Sequence, residues 1–485
     1  MNLLALPIPW LEAAIVIALG GGLCLSLLRD PIRAWRLGVG FMGAVFVCTL
    51  VACLDFYYGN PTPSLTGGGK EGFFFGKKLL GIDEINAPLL PVVALVHFLT
   101  ALATGRTKMR RFSLSWSLVS VAIRLAIFGS LDPTALVAML IVGVVPPYIE
   151  LRNRGKPTQV YVVHMALFVG LLLLGWAFID PAGGHQTQTA WATVPLMVAI
   201  LIRCGTVPAH CWITDWFEHA SFGIALLFVT PLTGVYAAIR LVLPYAPDWA
   251  LQGIGLVSLA TAVYAAGMAL VQNETRRFFA YLFISHASLV LVGLELHSAI
   301  SLTGALALWI AVMLSLAGFG LTLRALEARF GRLSLAQFHG LYAHSPTLAV
   351  CFLMTGLATV GFPGTLGFVA AELLVEGAVH ASPLLGLALV VAAAINGIAV
   401  VRAYFFLFTG ARHVSTISLA IGWRERFAVL TLTALILGGG LFPQPGVVSR
   451  HRAAMTIVRE RERQTELEKV ARNNRDETSR SGIQE

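Results

Sequence analysis

The chain has 485 residues, of which 57% are hydrophobic and 12% are charged, and its formal net charge is +9. A soluble protein carries about 25% charged residues, so this composition excludes a soluble globule. The basic residues lie in loops and in the tail, which indicates topology determinants rather than a nucleic-acid surface. Apolar runs long enough to cross a hydrocarbon core of about 30 Å recur along nearly the whole chain. The sequence therefore predicts an all-α polytopic membrane protein.

The apolar runs predict fourteen transmembrane helices, and the first run lacks the basic leading segment of a cleavable signal. The predicted spans are 11–28, 37–54, 87–105, 112–130, 133–150, 158–180, 187–204, 219–245, 249–271, 277–297, 301–323, 345–378, 383–410 and 426–443. Lys and Arg concentrate in the odd-numbered connections, whereas the even-numbered connections contain only Lys70, Lys77 and Lys78. Because positively charged loops face the cytoplasm, we expect a protein of the inner (cytoplasmic) membrane with its N-terminus outside.

Five regions are predicted along the chain. They are an N-terminal three-helix segment with an outer loop (1–110, loop 55–86), two five-helix repeats (111–245 and 246–410), a last transmembrane helix (411–449) and a charged soluble tail (450–485). An even number of spans places the tail on the same side as the N-terminus, which is outside. A re-entrant last segment would instead place it in the cytoplasm. The Gly67–Lys70 run lacks the spacing of a phosphate-binding loop. The loop is therefore interpreted as a flexible outer connection rather than a nucleotide site.

Two predicted spans contain helix-breaking residues at corresponding positions. Span seven ends in Gly205 and Pro208, and span twelve contains Gly361, Pro363 and Gly364. Proline removes a backbone donor and clashes with the preceding turn, so each helix is expected to open there. Both breaks fall in the fourth helix of a five-helix unit, and matched breaks are typical of inverted-repeat transporters. The alternative is a pair of ordinary proline kinks.

Ionisable side chains are rare within the spans, where burial in hydrocarbon makes them costly. Those near span ends, Glu12, Arg240 and Glu295, are interpreted as interfacial. The deeper residues are expected either to form interior networks or to be static ion pairs, and they are Arg124, Arg203, Glu372 and Arg402. All six lysines lie outside the spans. The six cysteines lack metal-ligand spacing and are interpreted as small core residues, and neither a metal nor a cofactor is expected.

Three segments resemble the antiporter-like, proton-translocating membrane subunits of respiratory complex I, which share their fold with multisubunit cation/proton antiporters and membrane-bound hydrogenases. The first is RCGTVPAHCWITD at 203–215, followed by Gly234-Val235-Tyr236 and Arg240. The second is QNETRRFFAYLFISH at 272–286, and the third is GFPGTLGFV at 361–369. The resemblance covers roughly residues 87–410. It implies a proton path at the membrane midplane, built from a glutamate–lysine pair and a line of lysines and histidines.

The chain departs from that family pattern along most of the implied path. Ile141 stands where the family has a fifth-helix glutamate, Arg203 replaces the seventh-helix lysine, and Leu232 replaces the eighth-helix lysine. Span 301–323 has neither charge nor histidine, and Glu372 lies one position beyond the family's twelfth-helix site. The sequence therefore predicts a divergent member.

Two functions remain open. In the first, the chain is a proton- or cation-conducting subunit of a multisubunit complex. Arg203 is then a fixed charge, His210 and His286 relay protons, and Glu372 or Glu376 exchanges them under the influence of Arg402. In the second, it is a non-pumping scaffold of a redox complex, or of a two-part inorganic-carbon uptake system with a large soluble zinc protein. A lipid-linked transferase and an autonomous transporter are weaker alternatives. The candidate residues of the proton path are Arg124, Arg203, His210, His286, Glu372, Glu376 and Arg402.

Overall fold

The computed structural model describes residues 9–58, 71–74, 77–105, 112–180, 188–296, 298–411 and 421–481. The first half of the chain forms α1 (Trp10–Ser26), α2 (Pro31–Tyr58), α3 (Leu89–Leu102), α4 (Leu114–Gly129), α5 (Pro133–Val142), α6 (Val145–Asn153), α7 (Gln159–Phe178), α8 (Ala190–Cys204), α9 (Cys211–His219), α10 (Phe222–Val229), α11 (Thr233–Ala237) and a π-helical turn (Ala238–Val242). The second half forms α12 (Asp248–Val271), α13 (Thr275–Glu295), α14 (Ala299–Phe330), a 3₁₀ turn (Leu341–Ala343), α15 (Pro346–Thr359), α16 (Leu366–Ala381), α17 (Pro383–Phe408), α18 (Trp423–Leu441) and α19 (Gln444–Ser481).

The long helices have the length and composition of membrane spans. Within the described residues, eight helical segments are long and apolar enough to cross a membrane. A ninth is obtained when α18 and the first part of α19, which meet at a bend of 78°, are counted as one span. Five shorter apolar helices, α1, α3, α4, α8 and α15, accompany them. This architecture agrees with the predicted class of polytopic helical membrane protein.

Both predicted helix breaks are present. Helix α8 ends at Cys204, and Gly205 follows with a left-handed φ of 72°, a conformation that glycine adopts at little cost. Helix α15 ends at Thr359, and α16 begins only at Leu366. A third break, between α10 and α11, was not predicted from the sequence. Pro231 lies in it, and Leu232 has a φ of 53°, which is unfavourable for a residue with a side chain.

Helix α14 is the centre of the second half of the bundle. It is buried along almost its entire length and packs against α13, α15, α16, α18 and α19. Its Gly304 allows the backbone of α16 to approach closely, since an added Cβ would lie 2.5 Å from the backbone nitrogen of Leu374. Close backbone approach through small residues is how membrane helices gain packing energy. The contact fixes which face of α16 turns inward.

A hairpin and the C-terminal helix cover one end of the bundle. Strands β1 (Glu71–Phe74) and β2 (Lys77–Gly81) pair antiparallel, and an ion pair joins Asp83 to Arg240. Buried Arg450 donates hydrogen bonds to the carbonyl oxygens of Glu84 (2.6 Å) and Ile85 (3.0 Å). Burial raises the pKa of the Glu84 carboxyl above its usual range, against the opposing effect of Arg452 and Arg450. Loops and C-terminal helix are thereby joined into one surface.

This end of the molecule refines one prediction and corrects another. The outer loop contains the β1–β2 hairpin and α2 extends to Tyr58, while the glycine run with Lys70, for which flexibility was expected, lies outside the described residues. The tail was expected to be solvated from residue 450, but Ala453 and Ala454 are fully buried. Arg461 donates to the carbonyl oxygens of Leu243 and Ala246. The first part of the tail helix is therefore a packed element.

The opposite end of the bundle is joined by arginine contacts. Arg276 bonds Glu327 through two nitrogens, at 2.6 and 2.7 Å, and Arg329 pairs with Glu425. Buried Arg324 donates to the carbonyl oxygen of Thr100 and the hydroxyl of Thr104, both at 2.8 Å. The predicted core role of the cysteines fits four of the six, because Cys24 and Cys211 are exposed.

Candidate functional site: buried arginines and a histidine near the helix breaks

Arg203 lies one residue before the end of α8, so the first break opens directly beside it. Its side chain is 8% exposed. One guanidinium nitrogen donates to the Thr233 hydroxyl, at the start of α11, over 2.7 Å. The cation also lies over the rings of Phe228 (4.6 Å) and Trp212 (5.7 Å). The two breaks on either side of α9 and α10 thus converge on this arginine.

Arg124 approaches the same place from α4, a helix that begins at the Ser113 N-cap. It is 6% exposed and donates to the carbonyl oxygen of Ser120, one turn earlier, over 2.7 Å. Its cation lies 5.6 Å from the centre of the Phe228 ring, so both guanidinium groups contact one ring. Both also line a small cavity, which has room for about one water molecule.

The arginine pair has no carboxylate partner among the described residues. Glu150 is buried on α6, the helix that borders the cavity, but it contacts Arg154 (3.6 Å) and the backbone nitrogen of Ser221 (3.4 Å) instead. The sequence had already indicated a missing acid at Ile141. The structure brings Arg124 and Arg203 together as two positive charges, not as members of an ion pair.

His97 was missed at the sequence level. It lies on α3, is 1% exposed, and its Nδ1 is 2.8 Å from the carbonyl oxygen of Val93. Its Nε2 is buried and without a hydrogen-bond partner among the described residues. The signal was available, because His97 is an ionisable residue inside a predicted span.

The second buried centre surrounds His286 on α13. The ring is 1% exposed, Nδ1 is 2.8 Å from the Leu282 carbonyl oxygen, and Nε2 has no partner in the described part of the chain. The ring lies close to the backbone of Thr359, the last residue of α15. Beside it, Asn396 donates to the hydroxyl of Ser285 over 2.8 Å. The second break therefore opens next to a buried histidine.

His210 lies at the edge of the bundle. It is half-buried directly before α9, with its ring 5.6 Å from that of Tyr264 and 5.9 Å from that of Tyr281. Its Nδ1 is buried and lacks a partner within the described ranges.

The structure does not bring the remaining candidates into the interior. Glu372 and Glu376 are exposed, one turn apart on the outer face of α16, so the expectation of an interior position for Glu372 is wrong. Arg402 donates to the backbone carbonyl oxygens of Gln272 (3.1 Å) and Leu335 (3.4 Å) rather than to either glutamate. The close packing of α14 on the opposite face of α16 explains why the glutamates turn outward.

Comparison with known proteins places this fold in one class. Residues 161–396 match the family model described as NADH:quinone oxidoreductase/Mrp antiporter, TM. The chain is 24% identical to NAD(P)H-quinone oxidoreductase chain 4 of Huperzia lucidula chloroplasts, covering 90% of this chain and 95% of that one. It is 27% identical to NADH-quinone oxidoreductase subunit 13 of Thermus thermophilus, with 79% and 84% covered. A chain of the Mrp complex from a Dietzia species shares the fold, with a TM-score of 0.79, 19% identity, and 94% and 100% covered.

The fold defines a polytopic, mostly helical membrane protein, which confirms the predicted class. The segment 161–396 matches the transmembrane family of NADH:quinone oxidoreductases and Mrp antiporters, and the chain as a whole is similar to the antiporter-like membrane subunits of respiratory complex I. The resemblance carried by residues 203–215, 272–286 and 361–369 is thereby confirmed.

Proposed function

We propose that the chain is a proton- or cation-conducting membrane subunit of a multisubunit complex, with a polar path that diverges from its relatives. The observation that carries this proposal is the position of the buried ionisable groups. Arg203 lies one residue before the end of α8, at the first break, and His286 lies by Thr359, which ends α15 before the second break. Broken helices line ion paths because their free backbone groups can bind ions and water.

The proposed path runs through the buried centre of the second repeat. His286 is the relay, since neutral imidazole can accept a proton at Nε2 while Nδ1 remains bonded to the helix backbone. Several other buried oxygens have no partner in the described residues, namely those of Ser258, Ser288, Ser315 and the side-chain carbonyl of Asn396. Buried polar atoms of this kind are usually satisfied by ordered water. Arg203 is a fixed charge, because a guanidinium does not release its proton.

The ends of the path are proposed at the periphery. His210, with its half-buried ring, is the entry from the edge of the bundle. Glu372 and Glu376 exchange protons on the outer face of α16, where a neighbouring subunit would cover them. Arg402 organises the connections at one end of α17 and is not required to tune either glutamate.

We infer fourteen spans, two inverted five-helix repeats (111–245 and 246–410) and an N-terminus outside the cytoplasmic membrane. Each predicted span corresponds to one described helix or one interrupted pair. The hydrogen bonds of α19 support this count. They join α19 to the connections before α3 and before α12, which are the second and the eighth and therefore lie on the same side of the membrane. By the same parity the C-terminal helix lies outside. The segments 1–110, 411–449 and 450–485 then form the N-terminal unit, the last span and a surface helix.

The partners are proposed to be other membrane subunits within the lipid bilayer. Two carboxylates on the outer face of a membrane helix are costly in hydrocarbon, and the ring of Phe362, in the break before the same helix, is also exposed. Whether the complex carries a redox arm or a large soluble zinc protein is decided by what co-purifies with the tagged chain.

The test is proton flux in vesicles containing the purified complex. We expect His286→Gln to lower the flux at least about tenfold, since it removes the proton acceptor at the buried centre of the path, while the complex still assembles. His164→Gln is a matched control, because His164 bonds its own helix in the same way, to the Val160 carbonyl oxygen, but is only half-buried. Unchanged flux in His286→Gln contradicts the proposed path.

A non-conducting scaffold is the second candidate. The replacement of family lysines by Arg203 and Leu232 favours it, since neither side chain can take up and release a proton. This function predicts full assembly and unaltered flux in the His286→Gln, Arg203→Ala and Glu372→Gln variants alike.

A further inference from the structure

We propose that Arg124 and Arg203 hold a small monovalent inorganic anion, of the size and charge of chloride, in the cavity between them. The two guanidinium groups lie over one phenyl ring, that of Phe228, and line one cavity. Both are more than nine-tenths buried within the membrane-spanning part of the bundle. This binding site does not depend on whether the subunit conducts protons.

The charge balance of the cavity requires a negative group. Guanidinium remains protonated in proteins, so two positive charges share a low-dielectric space. Elsewhere a carboxylate pairs with buried Arg276 (Glu327) and with half-buried Arg240 (Asp83), and buried Arg324 and Arg450 each bond at least two oxygens of the protein. Within the described residues, the only buried carboxylate on an element bordering this cavity, Glu150, is engaged elsewhere. Uncompensated buried charge is strongly destabilising, and the stacking on Phe228 offsets only part of it.

The hydrogen-bond balance leads to the same conclusion. A guanidinium has five N–H donors, yet among the described residues Arg124 and Arg203 each make a single hydrogen bond. Each therefore keeps several donors for a ligand that only accepts. Ser120 and Thr233, which line the same cavity, supply hydroxyl groups that can also donate.

The dimensions of the cavity select the anion. It has room for about one water molecule, which suits a halide and is too small for a phosphate or a carboxylic acid. Its other lining residues, such as Ile123, Ile127 and Leu140, are apolar and favour a weakly hydrated monovalent ion.

The test compares the thermal stability of the purified complex in sodium chloride and in sodium gluconate at equal ionic strength. A ligand that binds only the folded state raises the melting temperature. We expect chloride to raise the Tm of this chain by at least about 3 °C. The anion dependence should disappear in Ser120→Asp, because a carboxylate one turn before Arg124 supplies the missing charge within the protein.

Ser120→Asn is the matched control, with the same shape and no charge, and it should keep the chloride dependence. Arg203→Gln, which removes one of the two charges, should reduce it. The proposal is overturned if the wild-type Tm is the same in both salts, or if Ser120→Asp and Ser120→Asn respond equally to chloride. None of these readouts involves proton flux, so failure here is distinguishable from failure of the proposed function.

Discussion

Buried arginines in this molecule fall into two groups that differ in the groups their guanidinium nitrogens bond. Arg324, Arg276 and Arg450 lie near the ends of the bundle and bond carbonyl oxygens of loops or helix termini, with a carboxylate added for Arg276. These carbonyl groups have no backbone partner within their own helices. A hydrogen bond from an arginine therefore satisfies both the carbonyl oxygen and the guanidinium N–H. Arg124 and Arg203 each make a single hydrogen bond and have no carboxylate partner among the described residues, and this is why they call for an outside ligand.

Arg450 offers a direct test of the first group. Arg450→Met should lower the stability of the complex by about 2–4 kcal/mol, because the carbonyl groups of Glu84 and Ile85 lose buried donors. Thermal unfolding in detergent measures the effect. Arg459→Met, on the exposed side of the same helix, is the control and should change the Tm little. Equal effects of the two substitutions would mean that the tail helix is not held through Arg450.

The sequence predicted which residues are unusual better than where they point. Arg124 and Arg203 were recognised because a charge inside an apolar run is visible in one dimension, whereas Arg324 and Arg450 were assigned to a loop and a solvated tail. Glu372 was placed inside and lies outside. Lipid and protein interior are similarly apolar, so the hydrophobic pattern of α16 could not distinguish its two faces. The close packing of α16 against α14 does so, as at Gly304 against Leu374 and at Gly377 against Ser301.

At the scale of elements, the short helix α9 depends on its neighbours for its position. It has nine residues, fewer than an isolated helix needs for stability. Arg276 donates to the carbonyl oxygens of Phe217 (2.9 Å) and Ala220 (3.0 Å) while its other nitrogens bond Glu327. One guanidinium therefore fixes the end of α9 to α14.

Arg276→Lys should loosen α9, because an ammonium keeps the charge but cannot bond the carboxylate and the helix end together. Amide hydrogen exchange of peptides covering 211–220 should become at least about tenfold faster. Arg277→Lys is the control, since Arg277 is half-exposed and bonds only the Glu218 side chain among the described residues. Exchange rates that are equal in the two variants would show that Arg276 does not hold α9.

Proline and glycine together predicted two of the three helix breaks described above. The breaks at 205–208 and 361–364 were predicted because each contains both residue types, and the fold contains both. The break at Pro231 escaped, although proline gives the same signal, because the flanking residues are apolar and contain no glycine until Gly234. The hairpin 71–81 escaped for a different reason. Its second strand forms a bridge from Leu80 to Ser130 in another connection, and no local pattern encodes such a contact.

At the scale of the whole molecule, the outer face of α16 is the surface that most clearly calls for a partner subunit. Glu372 and Glu376 project from it, the second helix break adjoins it, and a stable membrane protein does not leave such groups in lipid. The relatives named above belong to quinone oxidoreductases and an Mrp complex. A second membrane subunit seated on this face would supply the missing polar contacts.

A photoreactive benzoylphenylalanine at position 376 should therefore form a cross-link to another membrane subunit when the cells are irradiated. The same probe at Leu256, which is 70% exposed on α12 among apolar neighbours, should give a much lower yield of protein cross-links. Mass spectrometry of the adduct identifies the partner and its helix. A basic or polar residue on that helix would explain how the two carboxylates are neutralised at the interface. If position 376 reacts only with lipid, α16 faces the bilayer, and the exchange of protons between subunits through Glu372 and Glu376 has to be abandoned.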